Sequence, residues 1–187
     1  MKVLSIDIGI KNLGYVFSNA EYPEINSKFK SDDIKFNINV IECNRVDITN
    51  MTHNIVKCQE CKLHHERCIP DYLDHFIQDH REMFETADII LLERQPPVGI
   101  LNVQDILFMK FRSKILLVNP RSVHLFFKMS KDYDTRKLES ERIASEYLGH
   151  FDNFLFNQRK HDMADAVLMI LHYCKCNVVV KKTKGVA

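Results

Sequence analysis

The chain has 187 residues, 45% hydrophobic and 27% charged, a composition that excludes a disordered or fibrous protein and suits one domain with a substantial core. Its apolar runs are too short to cross a membrane, the first holds an acid and lacks a secretory pattern, and no Arg-rich, acid-poor leader precedes it. The net charge of +1 conceals an asymmetry: residues 1–100 carry 11 Lys and Arg against 16 Asp and Glu, a balance of −5, and residues 101–187 carry 15 against 9, a balance of +6. A basic second half suggests a polyanion partner, with a mixed solvated surface as the alternative.

The first stretch, Met1 to Tyr15, reads as a strand, a tight turn and the start of a second strand. Val3, Leu4, Ile6 and Ile8 have the β-branched or aliphatic character of a buried strand, and Asp7 sits among them. An unpaired carboxylate there is costly. Either a cation meets it or it hydrogen-bonds to the following turn. Leu13 to Phe17 continue as the second strand, residues 19–34 form a polar excursion, and Lys35 to Glu42 alternate as a third strand. An antiparallel meander therefore opens the fold.

Residues 43–68 match neither period. Pro70 starts a helix to about Phe84, with Tyr72, Leu73, Phe76, Ile77 and His80 along one face. Asp88 to Glu93 is a continuous apolar run ending in an acid, the composition of a parallel strand buried on both faces. Ile100 to Arg112 predicts a second helix and Lys114 to Asn119 a fifth strand. Pro120 opens a short helical stretch, a polar loop covers Ser130 to Thr135, and a helix runs from Arg136 to about Leu148. The last helix runs from near His161 to about Tyr173, followed by a basic tail with Lys175, Lys181, Lys182 and Lys184. That order is an α/β fold with a mixed five-stranded sheet flanked by helices.

Four acids occupy unusual places. Asp7 lies within the first strand, Glu93 ends the fourth, and Asp162 and Asp165 are three apart at the start of the last helix, so they share a face. Taken alone, the last two serve equally well as acids favoured by the helix dipole. Converging at one sheet edge, however, such carboxylates repel unless hard divalent cations, Mg²⁺ or Mn²⁺, lie between them. Two such ions suit phosphoryl transfer.

Three blocks, Ser5-Ile-Asp7-Ile-Gly-Ile-Lys11-Asn12-Leu-Gly-Tyr15, Leu91-Leu-Glu93-Arg94-Gln95 and Lys160-His-Asp162-Met-Ala-Asp165-Ala, occur in this order across residues 5–166. Together they resemble the poxvirus-type Holliday junction resolvases, and also the fungal mitochondrial resolvases and, more distantly, the bacterial RuvC enzymes. The resemblance implies a single RNase H-like resolvase domain over residues 1–187, a homodimer, and Mg²⁺-dependent endonucleolytic cleavage of four-way junction DNA. It implies that Asp7, Glu93, Asp162 and Asp165 hold two metal ions per active site, and it suggests a virus and hence the host cytoplasm. Lys137 best matches the family's catalytic basic residue, with Arg136 and Lys131 as competitors and a solvated lysine as the alternative. Lys11, Asn12, Arg94, Gln95 and Arg136 are candidate DNA contacts; Gln95 and Arg94 equally suit orienting the acid, and Arg94 a strand-end salt bridge. A nuclease acting on flaps or RNA–DNA hybrids and a non-cleaving junction binder are the other readings.

The chain departs from that family in a Cys/His-rich insertion at about residues 50–69. Cys58-Gln-Glu-Cys61-Lys-Leu-His64-His65-Glu-Arg-Cys68 offers ligands for a structural Zn²⁺, with Cys58, Cys61, His65 and Cys68 as the set. Free thiols in an inserted loop are the alternative, since absence of a secretory signal favours reduced cysteines. Cys174 and Cys176 are too closely spaced to chelate well and read as buried apolar thiols.

Overall fold

The computed structural model describes residues 1–21, 24–26, 37–50, 68–177 and 179–181, with the backbone alone for 24–26 and 179–181. Strand β1 (Lys2–Asp7) shows how the sheet is built. Its side chains alternate, so that Val3 enters one core cluster while Leu4 and Ile6 enter the other. β2 (Leu13–Ala20) continues the pattern, with Val16 and Ala20 on the first face and Leu13, Tyr15 and Phe17 on the second. Both faces are therefore apolar and both are covered. Each fully buried aliphatic here contributes roughly 1.5–3 kcal/mol.

The excursion after β2 contains a short strand, β3 (Glu24–Asn26), before β4 (Ile38–Val46) returns alongside β2. A register shift between Phe17 and Ser18 marks a bulge in that pair. The alternation that predicts a strand at 35–42 thus places it several residues early: Cys43 is buried in the core and Val46 still pairs with Leu13. After α1 (Ile69–Asp79), the chain breaks at His80 and restarts as α2 (Arg81–Thr86), so the single helix expected over 70–84 is two. β5 (Ile89–Glu93), α3 (Leu101–Lys110) and β6 (Ile115–Val118) follow as expected, and α4 (Pro120–Phe126) is capped by Asn119, whose side chain accepts from Arg121 N–H. α5 (Tyr133–Leu148) starts three residues before the expected Arg136, because the Asp132 carboxylate accepts the Thr135 N–H at 2.9 Å and caps the helix there. A one-turn helix, α6 (Asp152–Leu155), precedes α7 (Lys160–Cys176), and β7 (Val179–Lys181) pairs in parallel with β3. That pairing ties part of the expected tail to the excursion.

The main sheet has the order β4-β2-β1-β5-β6. β4, β2 and β1 are antiparallel neighbours, whereas β1, β5 and β6 run parallel. This is the mixed five-stranded α/β sheet expected from the sequence. One face is covered by α1, α2 and α3 around Leu73, Phe76, Phe84 and Leu107, with Lys110 of α3 bonded to Asp74 of α1 at 2.7 Å. The other is covered by α7, which buries residues around nearly its whole circumference (Met163, Ala164, Ala166, Val167, Leu168, Ile170, Leu171) because α5 packs over its outer side through Ala144 and Leu148. A helix so apolar is a core element, and an acid in it is out of place unless it has work to do.

The apolar residues Ile106, Leu107, Phe108 and Met109 of α3 and Phe111 at its end read from the sequence either as a candidate dimer surface or as core packing. Val103 and Leu107 are core residues, whereas Met109 is 76% exposed, and Phe108 faces the Arg112 guanidinium at 4.5 Å. No helix among the described residues is long and apolar enough to cross a membrane.

Candidate active site

Parallel pairing of β1 and β5 aligns Ile6 with Leu92, one residue before each acid. Asp7 and Glu93 therefore leave neighbouring strands at the same edge. By alternation both share the face of Val3 and Leu91, the face that α7 covers. Asp162 and Asp165, three apart, stand on the first two turns of α7 above that edge. Asp7, Glu93 and Asp165 line one cavity together with Pro120, Val123, His124 and Met169. Three elements remote in sequence thus bring the predicted acids to one place.

The electrostatics show how crowded it is. Burial pushes the Asp7 carboxyl well above the usual range, and the charges of Glu93 and Asp165 push it further. Burial also raises Glu93, against the opposing effect of hydrogen bonds from Asp7 and Gln95. Asp165 is pushed up to about 7, first by burial and then by Glu93, while the Ser140 hydroxyl and the Arg136 charge pull the other way. Carboxylates that resist ionisation side by side are a site short of positive charge.

Gln95 orients Glu93. Its Nε2 donates to Glu93 Oε2 at 2.6 Å, its Oε1 accepts from Ile100 N–H at 3.1 Å, and its own N–H donates to the Gln104 side chain at 2.8 Å. Of the two roles the sequence left open for Gln95, the structure displays the orienting one. Gln104, only 8% exposed at the start of α3, carries no local signal for this task.

Asp162 is 5% exposed and turned to a cation. Arg159, in the N-cap position of α7, donates from Nε to Oδ2 at 3.0 Å and from Nη2 to Oδ1 at 3.3 Å. His161 Nε2 also lies 3.2 Å from Oδ1, without forming a hydrogen bond, and His161 Nδ1 is 3.6 Å from Glu141. Neither Arg159 nor His124 is among the residues the sequence singles out.

Lys137 is half-buried on α5, with Nζ 4.1 Å from the centre of the Tyr133 ring and close enough to His161 for its charge to be felt. Arg136 lies 5.5 Å from the same ring, bonds to the Lys131 carbonyl at 3.2 Å, and acts electrostatically on Asp165 and His124. Lys131, Lys11 and Arg94 are exposed. The Asn12 carboxamide accepts from Arg45 of β4, so its side chain braces the turn after β1. Of the zinc set, Cys58, Cys61 and His65 lie outside the described residues, and Cys68 is an exposed thiol in the N-cap position of α1; of the two thiols expected to be buried, Cys174 is, whereas Cys176, at the end of α7, is exposed. Lys182 and Lys184 also lie outside them.

No family model matches the chain, and no curated protein matches it in sequence. Solved structures do match in fold. The fowlpox virus resolvase in complex with Holliday junction DNA is 21% identical, with a TM-score of 0.54 over 94% of this chain and 98% of that one. Thermus thermophilus RuvC is 12% identical, with a TM-score of 0.57 over 95% and 98%. The same RuvC in complex with a Holliday junction substrate gives 0.56 over 95% and 97%. The chain has the RuvC-like, RNase H-like fold. The likeness spans nearly the full length of each structure, so the acids sit within the shared architecture and not on an appended segment.

An all-oxygen, anionic donor set suits Mg²⁺ or Mn²⁺. Among the described residues no three such groups already enclose a single point, so the set is gathered but not closed. Asp7, Glu93 and Asp165 share the cavity, whereas Asp162 is held by Arg159 at its side.

Proposed function

We propose that the protein is a divalent-metal-dependent endonuclease that resolves four-way DNA junctions, acting as a homodimer that makes paired symmetric nicks in recombination or replication intermediates. The observation that carries this reading is the convergence of Asp7, Glu93, Asp162 and Asp165 at one edge of a sheet with the fold of junction resolvases. A purely structural or DNA-coating role offers no reason to gather mutually repelling acids where a phosphate would have to come.

Asp7, Glu93, Asp162 and Asp165 would hold Mg²⁺ or Mn²⁺. The ions, when bound, would supply charge stabilisation for attacking and leaving oxygens in hydrolysis of a phosphodiester. The chain's own contribution is placement. β1 and β5 deliver two carboxylates on neighbouring strands, α7 delivers two more from above, and Gln95 with Gln104 keeps Glu93 from rotating away. Lys137, Arg136 and the exposed Lys11 and Arg94 supply positive charge along the same edge, suited to backbone phosphates rather than bases. Two symmetric cuts need two such sites, which is the reason for proposing a dimer.

The deciding experiment incubates the protein with a four-way junction, a flap and an RNA–DNA hybrid, each in Mg²⁺ and in EDTA. Symmetric nicking of the junction alone, only with Mg²⁺, is expected. Binding without cutting, or preference for the hybrid or flap, would overturn the reading.

A further inference from the structure

The Arg159–Asp162 pair has a shape that a merely structural ion pair does not need. Asp162 is enclosed, at 5% exposure, while the Arg159 side chain remains 43% exposed. The guanidinium grips both carboxylate oxygens, at 3.0 and 3.3 Å, from the solvent side. Its charge also reaches Asp7, so it stands beside the acid cluster and not out on the surface. Glu93 is held differently, by the uncharged Gln95 amide.

Resting on the reading of these acids as metal ligands, we infer that Arg159 is a resident cation that keeps Asp162 from a metal ion until a DNA phosphate draws the guanidinium away. Each oxygen of Asp162 already accepts a charge-assisted hydrogen bond from the guanidinium, so a metal ion must compete with that cation for the carboxylate. A half-exposed guanidinium can turn outward without crossing a packed core, and phosphate accepts the same two-pronged geometry as carboxylate. Substrate arrival and completion of the metal site are thereby linked: the phosphate gains Arg159 as Asp162 becomes free. Linkage of this kind raises metal affinity when DNA is bound and restrains it when DNA is absent.

Two measurements without cleavage test this, using Arg159→Gln. Mn²⁺ binding to the DNA-free protein, followed by the electron paramagnetic resonance signal of free Mn²⁺, is expected to tighten about five- to tenfold. Binding to a four-way junction in EDTA is expected to weaken by a similar factor, about five- to tenfold. Arg159→Lys keeps the charge without the fork and should fall between; thermal melts establish that both variants fold. A merely structural arginine would weaken both interactions, or leave Mn²⁺ affinity unchanged, and either result overturns the inference. So does unchanged junction binding. If the unaltered protein binds no Mn²⁺ and Asp165→Asn changes nothing, the metal reading itself has failed, a result distinct from a metal site indifferent to Arg159.

Discussion

Gly14 of β2 lies directly beneath the backbone carbonyl of Asp162, with Asp7 as its pairing partner across β1. A Cβ at position 14 would collide with that carbonyl, which is backbone and cannot swing aside. The missing side chain therefore sets how closely the start of α7 approaches the strand carrying Asp7. Gly14→Ala is expected to push the first turn of α7 off the sheet, destabilising the protein by about 1–3 kcal/mol and reducing cleavage beyond what the stability loss explains. Denaturant melts and cleavage assays under conditions where the variant is fully folded check this; unaltered cleavage would mean that the close approach is not needed.

Asp7→Asn preserves size while removing a charge the proposed metals require. Several kcal/mol of transition-state stabilisation should vanish, a loss of roughly 10³-fold in cleavage. Junction binding in EDTA should survive, since one repelling charge near phosphate has gone. Cutting by this variant at the normal rate would remove Asp7 from the mechanism.

Gln95→Leu and Gln104→Leu test the bracing of Glu93. Each should lower cleavage about 10- to 100-fold, the usual cost of losing a group that orients a metal ligand. Cleavage by the two should fall by comparable factors, and the double variant should lose much less than the product of the single losses, because both act through one carboxylate. Additive losses would show that the glutamines act separately.

The raised carboxyls give the metal-free protein a characteristic pH profile. Asp165 is lifted from the ordinary aspartate range to about 7, and Asp7 and Glu93 are raised as well. Between about pH 4 and 7 the native state thus holds more protons than the unfolded chain, and the stability from these groups, complete at low pH, is lost as pH rises through that window. Asp165→Asn should therefore stabilise the protein at pH 8 in EDTA by on the order of 1–3 kcal/mol, seen as a higher melting temperature, and have little effect near pH 4. Mg²⁺ should stabilise the unaltered protein at pH 8 and lose that effect as pH falls below about 7. Equal melting temperatures for variant and unaltered protein at pH 8 in EDTA would remove Asp165 as a source of strain.

The acids were legible because each breaks a local rule: Asp7 interrupts an apolar strand, Glu93 ends another, and Asp162 and Asp165 begin an otherwise apolar helix. The order of strands and helices was equally legible from apolar periods, and it fixed the α/β class. Element ends were less so. The register of β4 follows its pairing with β2, including a bulge, and alternation along β4 itself is compatible with an earlier start. The break at His80 interrupts a helical period that continues on both sides of it, and the cap at Asp132 lies in a polar run that reads as loop.

Arg159 and Gln104 belong to another category. Nothing in Asn157-Gln-Arg159-Lys160 or Val103-Gln104-Asp105 distinguishes the residue that reaches inward from its solvated neighbours. Arg159 meets Asp162 because α7 starts where it does, and Gln104 meets Gln95 because α3 packs beside the end of β5. Local sequence carries the chemistry of a carboxylate and the period of the element that bears it. Which cation or amide stands about 3 Å from that carboxylate is decided by where a helix starts and how it packs beside the sheet, even for partners two to nine residues apart, and a hydrogen bond tolerates far less error in position than an apolar contact does.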